Sequence, residues 1–185
     1  MKRDDNPFYE KQKIKRWLIL LIFIPVNLLL ITGCIMQIGL DKPWGNNPIP
    51  NEGLIVTTAI MLLLMAYMFR IDLKTVVDND GIHIRMWLFP FFTKTKSFLW
   101  EDISEITVKK YNPILTYGGW GIRMGSFSFG LNFGKMRFDS VAYSMSGNIG
   151  MQFILQNKKN VLIGTNKPEE LSATLLKIGK LEENK

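Results

Sequence analysis

A chain of 185 residues with one cysteine and one histidine is too short for several large domains, and it excludes an internal disulfide and any metal or redox site built from paired cysteines. The hydrophobic residues make up 47% of the chain, and they are concentrated in two runs near the N-terminus. The chain is therefore predicted to be a membrane protein with one further domain, and the single histidine leaves little for a zinc site.

The two apolar runs are residues 17–38 and 53–70, and neither has a charged residue inside it, apart from Arg70 at the end of the second. About 20 apolar residues cross the ~30 Å hydrocarbon core of a bilayer. We therefore predict a transmembrane hairpin over residues 17–70, with an outer link over residues 39–52. The absence of acids and bases inside the runs argues against a proton or ion pathway.

Basic residues flank the two runs on the sides away from the link. The segment 1–16 contains six of them, Arg70 and Lys74 follow the second run, and the link has only Lys42. Basic residues favour the cytoplasmic side of a membrane. The sequence thus predicts a multi-pass protein of the inner (cytoplasmic) membrane, with residues 1–16 as a basic cytoplasmic tail and both termini in the cytoplasm.

Cys34 offers an alternative for the first run. The residues Ile31 to Cys34 resemble the lipobox of bacterial lipoproteins, in which the preceding segment is removed and the cysteine is lipidated. Against this, the apolar run continues past Cys34 and its full length fits a span. We interpret residues 17–38 as a retained span and keep lipidation of Cys34 as the alternative.

From residue 71 onward, apolar and polar residues alternate in short runs separated by turn residues, which is typical of antiparallel strands. The run Asp78 to Gly81 has the composition of a hairpin turn. Near the C-terminus, Pro168 opens a segment with an apolar stripe at helical spacing. Residues 71–185 are therefore predicted to form a mainly-β domain of about seven antiparallel strands, arranged as a bent sandwich or partly open barrel and capped by one helix over about residues 167–181.

Two aromatic segments of this domain allow two interpretations: they pack on the core, or they contact the membrane surface or a partner protein. The candidate contact residues are Trp87, Phe89 and Phe91 in the first segment and Phe127, Phe129, Phe133, Lys135 and Arg137 in the second. In the second segment, the alternation favours packing on the core.

Several turn and cap residues of the domain form a pattern of their own, and we treat them as structural motifs. They are Gly118, Gly119, Trp120, Gly121, Arg123, Gly147 and Pro168. On these residues the chain resembles bacterial membrane-anchored proteins that carry a pleckstrin-homology-like (PH-like) domain after a pair of membrane helices, a family largely of unknown function. The resemblance implies a PH-like fold, and in general such domains bind headgroups, peptides or proteins.

The sequence indicates binding rather than catalysis. It has no HExxH, GxSxG, SxxK or Walker motif, so we expect no enzyme activity, no cofactor, no metal and no nucleic-acid partner. The leading hypothesis is a non-catalytic PH-like domain held at the inner membrane surface for protein–protein interaction or scaffolding. Its expected partners are the lipid bilayer and an unknown membrane or cytosolic protein. A homo-oligomer is left open but is not indicated. The alternative is recognition of an anionic lipid headgroup or small ligand. The candidate headgroup contacts are Lys94, Lys96, Lys109, Lys110, Arg123, Lys135 and Arg137.

Overall fold

The structure is a computed structural model that describes residues 7–89, 92–117, 119, 121–127 and 136–181. Its contacts divide the chain into two compact units. One is a helical hairpin from Ile14 to Ile71, and the other is a β domain in which the segment up to Lys13 is combined with the chain from Asp72 onward.

The hairpin unit contains two helices, α1 over Arg16–Cys34 and α2 over Asn51–Met68. The first continues as one π-helical turn over Ile35–Gly39. Both helices are long and apolar enough to cross a membrane, as the two apolar runs predicted.

Hydrogen bonds and one ring contact hold the link between the two helices in place. The Gln37 side-chain amide donates to the Ile49 carbonyl oxygen at 2.7 Å and to Asn51 Oδ1 at 2.8 Å. The indole ring of Trp44 lies against Gly33, where an added Cβ would be 2.9 Å from a ring carbon. The link is therefore held to both helix ends by specific contacts within the hairpin.

The first sheet of the β domain has four antiparallel strands in the order β1-β2-β3-β4. These are β1 (Phe8–Lys13), β2 (Asp72–Val77), β3 (Gly81–Phe89) and β4 (Phe92–Leu99). The strands alternate buried and exposed residues because one face packs inward and the other is open to solvent. The predicted turn at residues 78–81 is present, with Asp78 Oδ1 accepting from the Asp80 and Gly81 amides.

The second sheet has five strands in the order β5-β8-β9-β7-β6. The strands are β5 (Ile103–Lys110), β6 (Gly121–Phe127), β7 (Met136–Ser144), β8 (Ile149–Leu155) and β9 (Asn160–Thr165), and two helices accompany them, α3 (Pro113–Tyr117) and α4 (Pro168–Lys177). A short 3-10 turn, Trp100–Asp102, joins the two sheets. Strand β7 pairs with β9 in parallel, and the other pairs are antiparallel.

The core of the β domain lies between the two sheets. Phe98 of the first sheet and Phe153 of the second meet edge to face, with ring centroids 5.0 Å apart. Leu171 and Leu175 of α4 are buried, which confirms the apolar stripe predicted for the C-terminal helix. Such burial contributes about 1.5 to 3 kcal/mol for each large apolar side chain.

The structure corrects three expectations about this domain. The described residues form nine strands, eight of them within residues 71–185 where about seven were predicted, and one strand pair is parallel. The segment 1–16 is not simply a tail, because Phe8–Lys13 forms the edge strand β1 and pairs with β2 from Phe8↔Val77 to Lys13↔Asp72. Helix α4 ends at Lys177, and Gly179 follows with a φ of 69° that stops the helix. A mainly-β domain with a C-terminal helix is confirmed at this coarser level.

Candidate functional site

Strand β1 presents a polar inner face to the β domain. Glu10 is only 4% exposed, and its carboxylate accepts two hydrogen bonds, from Thr165 Oγ1 at 2.6 Å and from the Asn166 amide at 2.8 Å. Gln12, 1% exposed, donates to the Gly164 carbonyl oxygen and accepts from the Met145 amide. Buried polar groups are tolerated only when they are hydrogen-bonded, so these contacts fix β1 to β9 and to the residues that precede α4.

The outer face of the first sheet is basic at one end. We call this surface the basic face and define it by Lys11, Lys13, Lys74 and Arg85, with the half-buried Trp87 beside them. The strand register places Lys11, Lys74 and Arg85 in one row across β1, β2 and β3. A second row contains Lys13, Asp72 and Trp87. It lies closer to the strand ends that connect to the hairpin.

Asp72 is the one acidic residue in these two described rows. Its Oδ2 lies 2.9 Å from Lys11 Nζ. This hydrogen bond and the attraction between the charges raise the pKa of the Lys11 ammonium above its usual value. Asp72 neutralises only one of the four basic residues of the basic face. The charges of Lys13, Lys74 and Arg85 leave this surface with a net positive charge.

The opposite end of the same sheet is acidic. Asp78 and Asp80 form the turn between β2 and β3, and Glu101 and Asp102 follow β4 at that same end. The Trp100 indole donates to the Asp78 carbonyl oxygen at 3.0 Å, which ties the two acidic segments together. The first sheet thus has a basic end, where the chain continues into the hairpin, and an acidic end about five residues away.

A groove with a volume of about 850 Å³ lies beside strand β5. Seven consecutive residues, Ile103 to Lys109, line one side, and Ser172 with Gly179 to Leu181 line the other. Successive side chains of a strand point to opposite faces, so a groove lined by consecutive residues runs along the edge of β5. In the described part of the chain, β5 pairs only with β8.

The predicted contact residues fall on different parts of the domain. Trp87 belongs to the basic face, and Phe89 is the last residue of β3. Phe127 ends β6, and Arg137 in β7 is opposite Ser126. Phe91, Phe129, Phe133 and Lys135 lie outside the described residues. The members that are described belong to strands of two separate sheets.

The seven headgroup candidates are also dispersed. Lys94 and Lys96 are in β4, Lys109 and Lys110 in β5, Arg123 in β6 and Arg137 in β7, and Lys135 is outside the described residues. The residues that do form a row, Lys11, Lys74 and Arg85, were not selected from the sequence. The signal that could have found them is the strand Phe8–Lys13, but two of its three inner residues, Glu10 and Gln12, are polar, so the sequence lacks the usual apolar alternation.

Three glycines of the predicted structural motifs adopt positive φ, at 122° for Gly119, 116° for Gly121 and 82° for Gly147. These values are readily accessible only to glycine. At Gly147 a Cβ would also approach Asn166 Oδ1 to 3.1 Å. Pro168 is the first residue of α4, where its missing N–H costs no hydrogen bond. Arg123 is exposed in β6, and Gly118 and Trp120 lie outside the described residues.

Cys34 is the last residue of α1 and is half-buried. Its Sγ lies 3.4 Å from Thr58 Oγ1 of α2, within hydrogen-bonding distance. No group of three metal-ligating side chains occurs among the residues that the structure describes.

No protein-family model matches the chain, and no curated protein matches it in sequence. The resemblance to PH-like proteins stays an expectation from the sequence motifs.

Proposed function

We propose that the chain is a non-catalytic integral membrane protein whose hairpin spans the inner membrane and whose PH-like β domain binds a protein partner on the cytoplasmic side. Strand pairing supports the hairpin topology. Strand β1 precedes α1, β2 follows α2, and the two strands are paired. Both ends of a membrane-spanning hairpin therefore emerge on one side, and the basic residues beside them favour the cytoplasm.

The groove along β5 is the observation that carries the proposed partner binding. An unpaired strand edge presents backbone donors and acceptors that an extended peptide can pair with. The wall formed by Ser172 of α4 and by residues 179–181 after it then contacts the side chains of that peptide. We propose that an extended segment of a partner protein adds to β5, and that the tether to the membrane raises its effective concentration for membrane proteins.

A cysteine-labelling experiment tests the topology. In full-length protein with Cys34→Ser, a cysteine at Asn47 in the link is expected to react with an impermeant thiol reagent in intact cells. A cysteine at the exposed Ala173 of α4 is expected to react only after the membrane is opened. The reverse pattern would contradict the orientation.

A photo-crosslinking experiment tests the groove. A photoreactive amino acid at the exposed Thr107 should give a specific crosslinked product in native membranes, and Ser172→Arg, which places a large side chain in the opposite wall, should remove it. Ala173→Arg is the matched control, because Ala173 is exposed and does not line the groove. Equal crosslinking in the two arginine variants would reject β5 as the binding edge.

A further inference from the structure

Charge is distributed along the first sheet in a way that the proposed partner binding does not explain. The end that connects to the hairpin contains Lys11, Lys13, Lys74 and Arg85 against Asp72. The far end is mainly acidic, with carboxylates at the turn after β2 and in the segment after β4, and Lys180 lies there over the Trp100 ring. The first sheet therefore has a positive end and a negative end.

The positive end is close to the predicted membrane surface along the chain. Lys13 is three residues before the start of α1, and Asp72 is four residues after the end of α2. Lys11 is five residues before Arg16, which is about 18 Å at most in a fully extended chain. The headgroup layer is about 5 to 8 Å thick on each side, and electrostatic attraction extends about a further 8 to 10 Å in physiological salt.

We propose that the basic face binds the anionic phospholipid surface beside the hairpin. This inference rests on the proposed function in one respect, namely that α1 and α2 cross the membrane. Lys13, Lys74 and Arg85 supply the positive charge, Lys11 contributes beside its partner Asp72, and Trp87 places an amphipathic ring among them. The acidic end is repelled by the same surface, so the charge distribution favours one orientation of the sheet.

The choice of an anionic lipid follows from charge and location. Each basic residue near an anionic leaflet strengthens the attraction by about a factor of five, and three such residues act together. An acidic protein would also attract the basic face, but it would not explain why the basic residues lie at the end of the sheet that continues into the hairpin. The lipid surface explains both observations.

The test uses the full-length chain with Cys34→Ser, so that an introduced cysteine is the single labelling site. A fluorophore is attached at Thr95→Cys, which is exposed and pairs with Arg85 in the row of the basic face. A second sample is labelled at Asp80→Cys, at the acidic end. Each protein is reconstituted into lipid nanodiscs of phosphatidylcholine, with or without phosphatidylglycerol, that also contain a lipid with a quencher on its headgroup.

Phosphatidylglycerol is expected to increase quenching at residue 95 more than at residue 80, and high salt should remove the increase. The variant Lys13→Gln/Lys74→Gln/Arg85→Gln should lose the increase, whereas Lys110→Gln/Lys158→Gln/Lys159→Gln, with the same change in net charge, should keep it. The variant Lys13→Arg/Lys74→Arg retains the charge and should also keep it, which separates a charge effect from damage to the fold.

Equal quenching at residue 95 in the two lipid compositions would overturn the inference, as would an equal loss in the two glutamine variants. Its failure is distinguishable from failure of the proposed function. The labelling of Asn47 and Ala173 tests the membrane topology alone, and the crosslink from Thr107 tests the groove alone.

Discussion

Glu10 provides the sharpest test of how the N-terminal strand is held in the β domain. In the variant Glu10→Ala, the Thr165 hydroxyl and the Asn166 amide lose the acceptors that lie 2.6 and 2.8 Å away. Hydrogen bonds to charged groups contribute about 1.5 to 3 kcal/mol each. Because Glu10 is only 4% exposed, water does not replace the lost acceptor freely, and we expect a loss of about 3 to 6 kcal/mol in the free energy of unfolding.

A loss of that size is a large part of the total stability of a domain, which is about 5 to 15 kcal/mol. The measurement is urea unfolding of the full-length protein in mild detergent, followed by tryptophan fluorescence. Glu10→Gln keeps one carbonyl acceptor and should lie between wild type and Glu10→Ala. The matched control is Glu105→Ala, which removes an exposed glutamate from β5 and should change stability by less than about 0.5 kcal/mol.

Equal unfolding midpoints for Glu10→Ala and Glu105→Ala would refute this reasoning. In that case the buried contacts of β1 would contribute nothing beyond those of an exposed side chain. A destabilised Glu10→Ala should also release β1 first, so that hydrogen exchange at the β1 amides increases before exchange in β8 and β9. Uniform exchange across the domain would indicate that β1 is not a separate weak element.

Three further changes are predicted. Gly150→Ala would place a Cβ 2.7 Å from the Ile163 carbonyl oxygen, so the unfolding free energy should fall by about 1 to 3 kcal/mol, whereas Gly53→Ala, with open space around it, should have little effect on denaturation. Burial raises the pKa of three tyrosines of the β domain, Tyr111, Tyr117 and Tyr143. Folding favours the neutral form of these tyrosines. Their contribution to the free energy of unfolding is therefore fully present below the pKa of an unfolded tyrosine, about 10, and is lost as the pH rises through the raised pKa values of the folded state. Tyr143→Phe should weaken this loss of stability at alkaline pH, as measured by unfolding at a series of pH values. Intact-mass measurement should find a chain without lipid on Cys34, because processing at that site would remove β1, and a lipidated chain lacking residues before Cys34 would contradict this.

Local sequence patterns were enough to predict the elements whose partners are near in sequence. The two apolar helices follow from continuous apolarity, and the β2–β3 and β8–β9 hairpins follow from alternation around a turn. Helix α4 follows from Pro168 at its start and the spacing of Leu171 and Leu175. In each of these, the pattern that decides the structure is contained in one continuous stretch of the chain.

The features that sequence reasoning missed depend on partners far away in the chain. Strand β1 pairs with β2 from Phe8↔Val77 onward, with the whole helical hairpin between them. Its inner face has Glu10 and Gln12 where apolar residues would have given a strand signal. Likewise, β7 and β9 pair in parallel although β8 lies between them in the sequence. No local pattern specifies which strand β7 pairs with.

The basic face was missed for the same reason. Lys11 and Lys74 are 63 positions apart in the sequence, and only the register of β1 against β2 places them opposite each other. Counting basic residues selected seven candidates, and the six that the structure describes are distributed over four strands. A charge pattern therefore predicts a surface only after the strand order is known.

The pairing of β1 with β2 makes the helical hairpin an insertion between two neighbouring strands of one sheet. A chain truncated before Asp72 would lose the inner residues Phe8, Glu10 and Gln12, and would leave the Thr165 hydroxyl, the Asn166 amide and the Met145 amide without the partners they have here. Each buried donor left unpaired costs about 1 to 3 kcal/mol. The β domain is consequently completed by residues from both sides of the hairpin, and any partner or lipid that acts on β1 or β2 acts on a strand that is followed or preceded, within a few residues, by one of the two apolar helices.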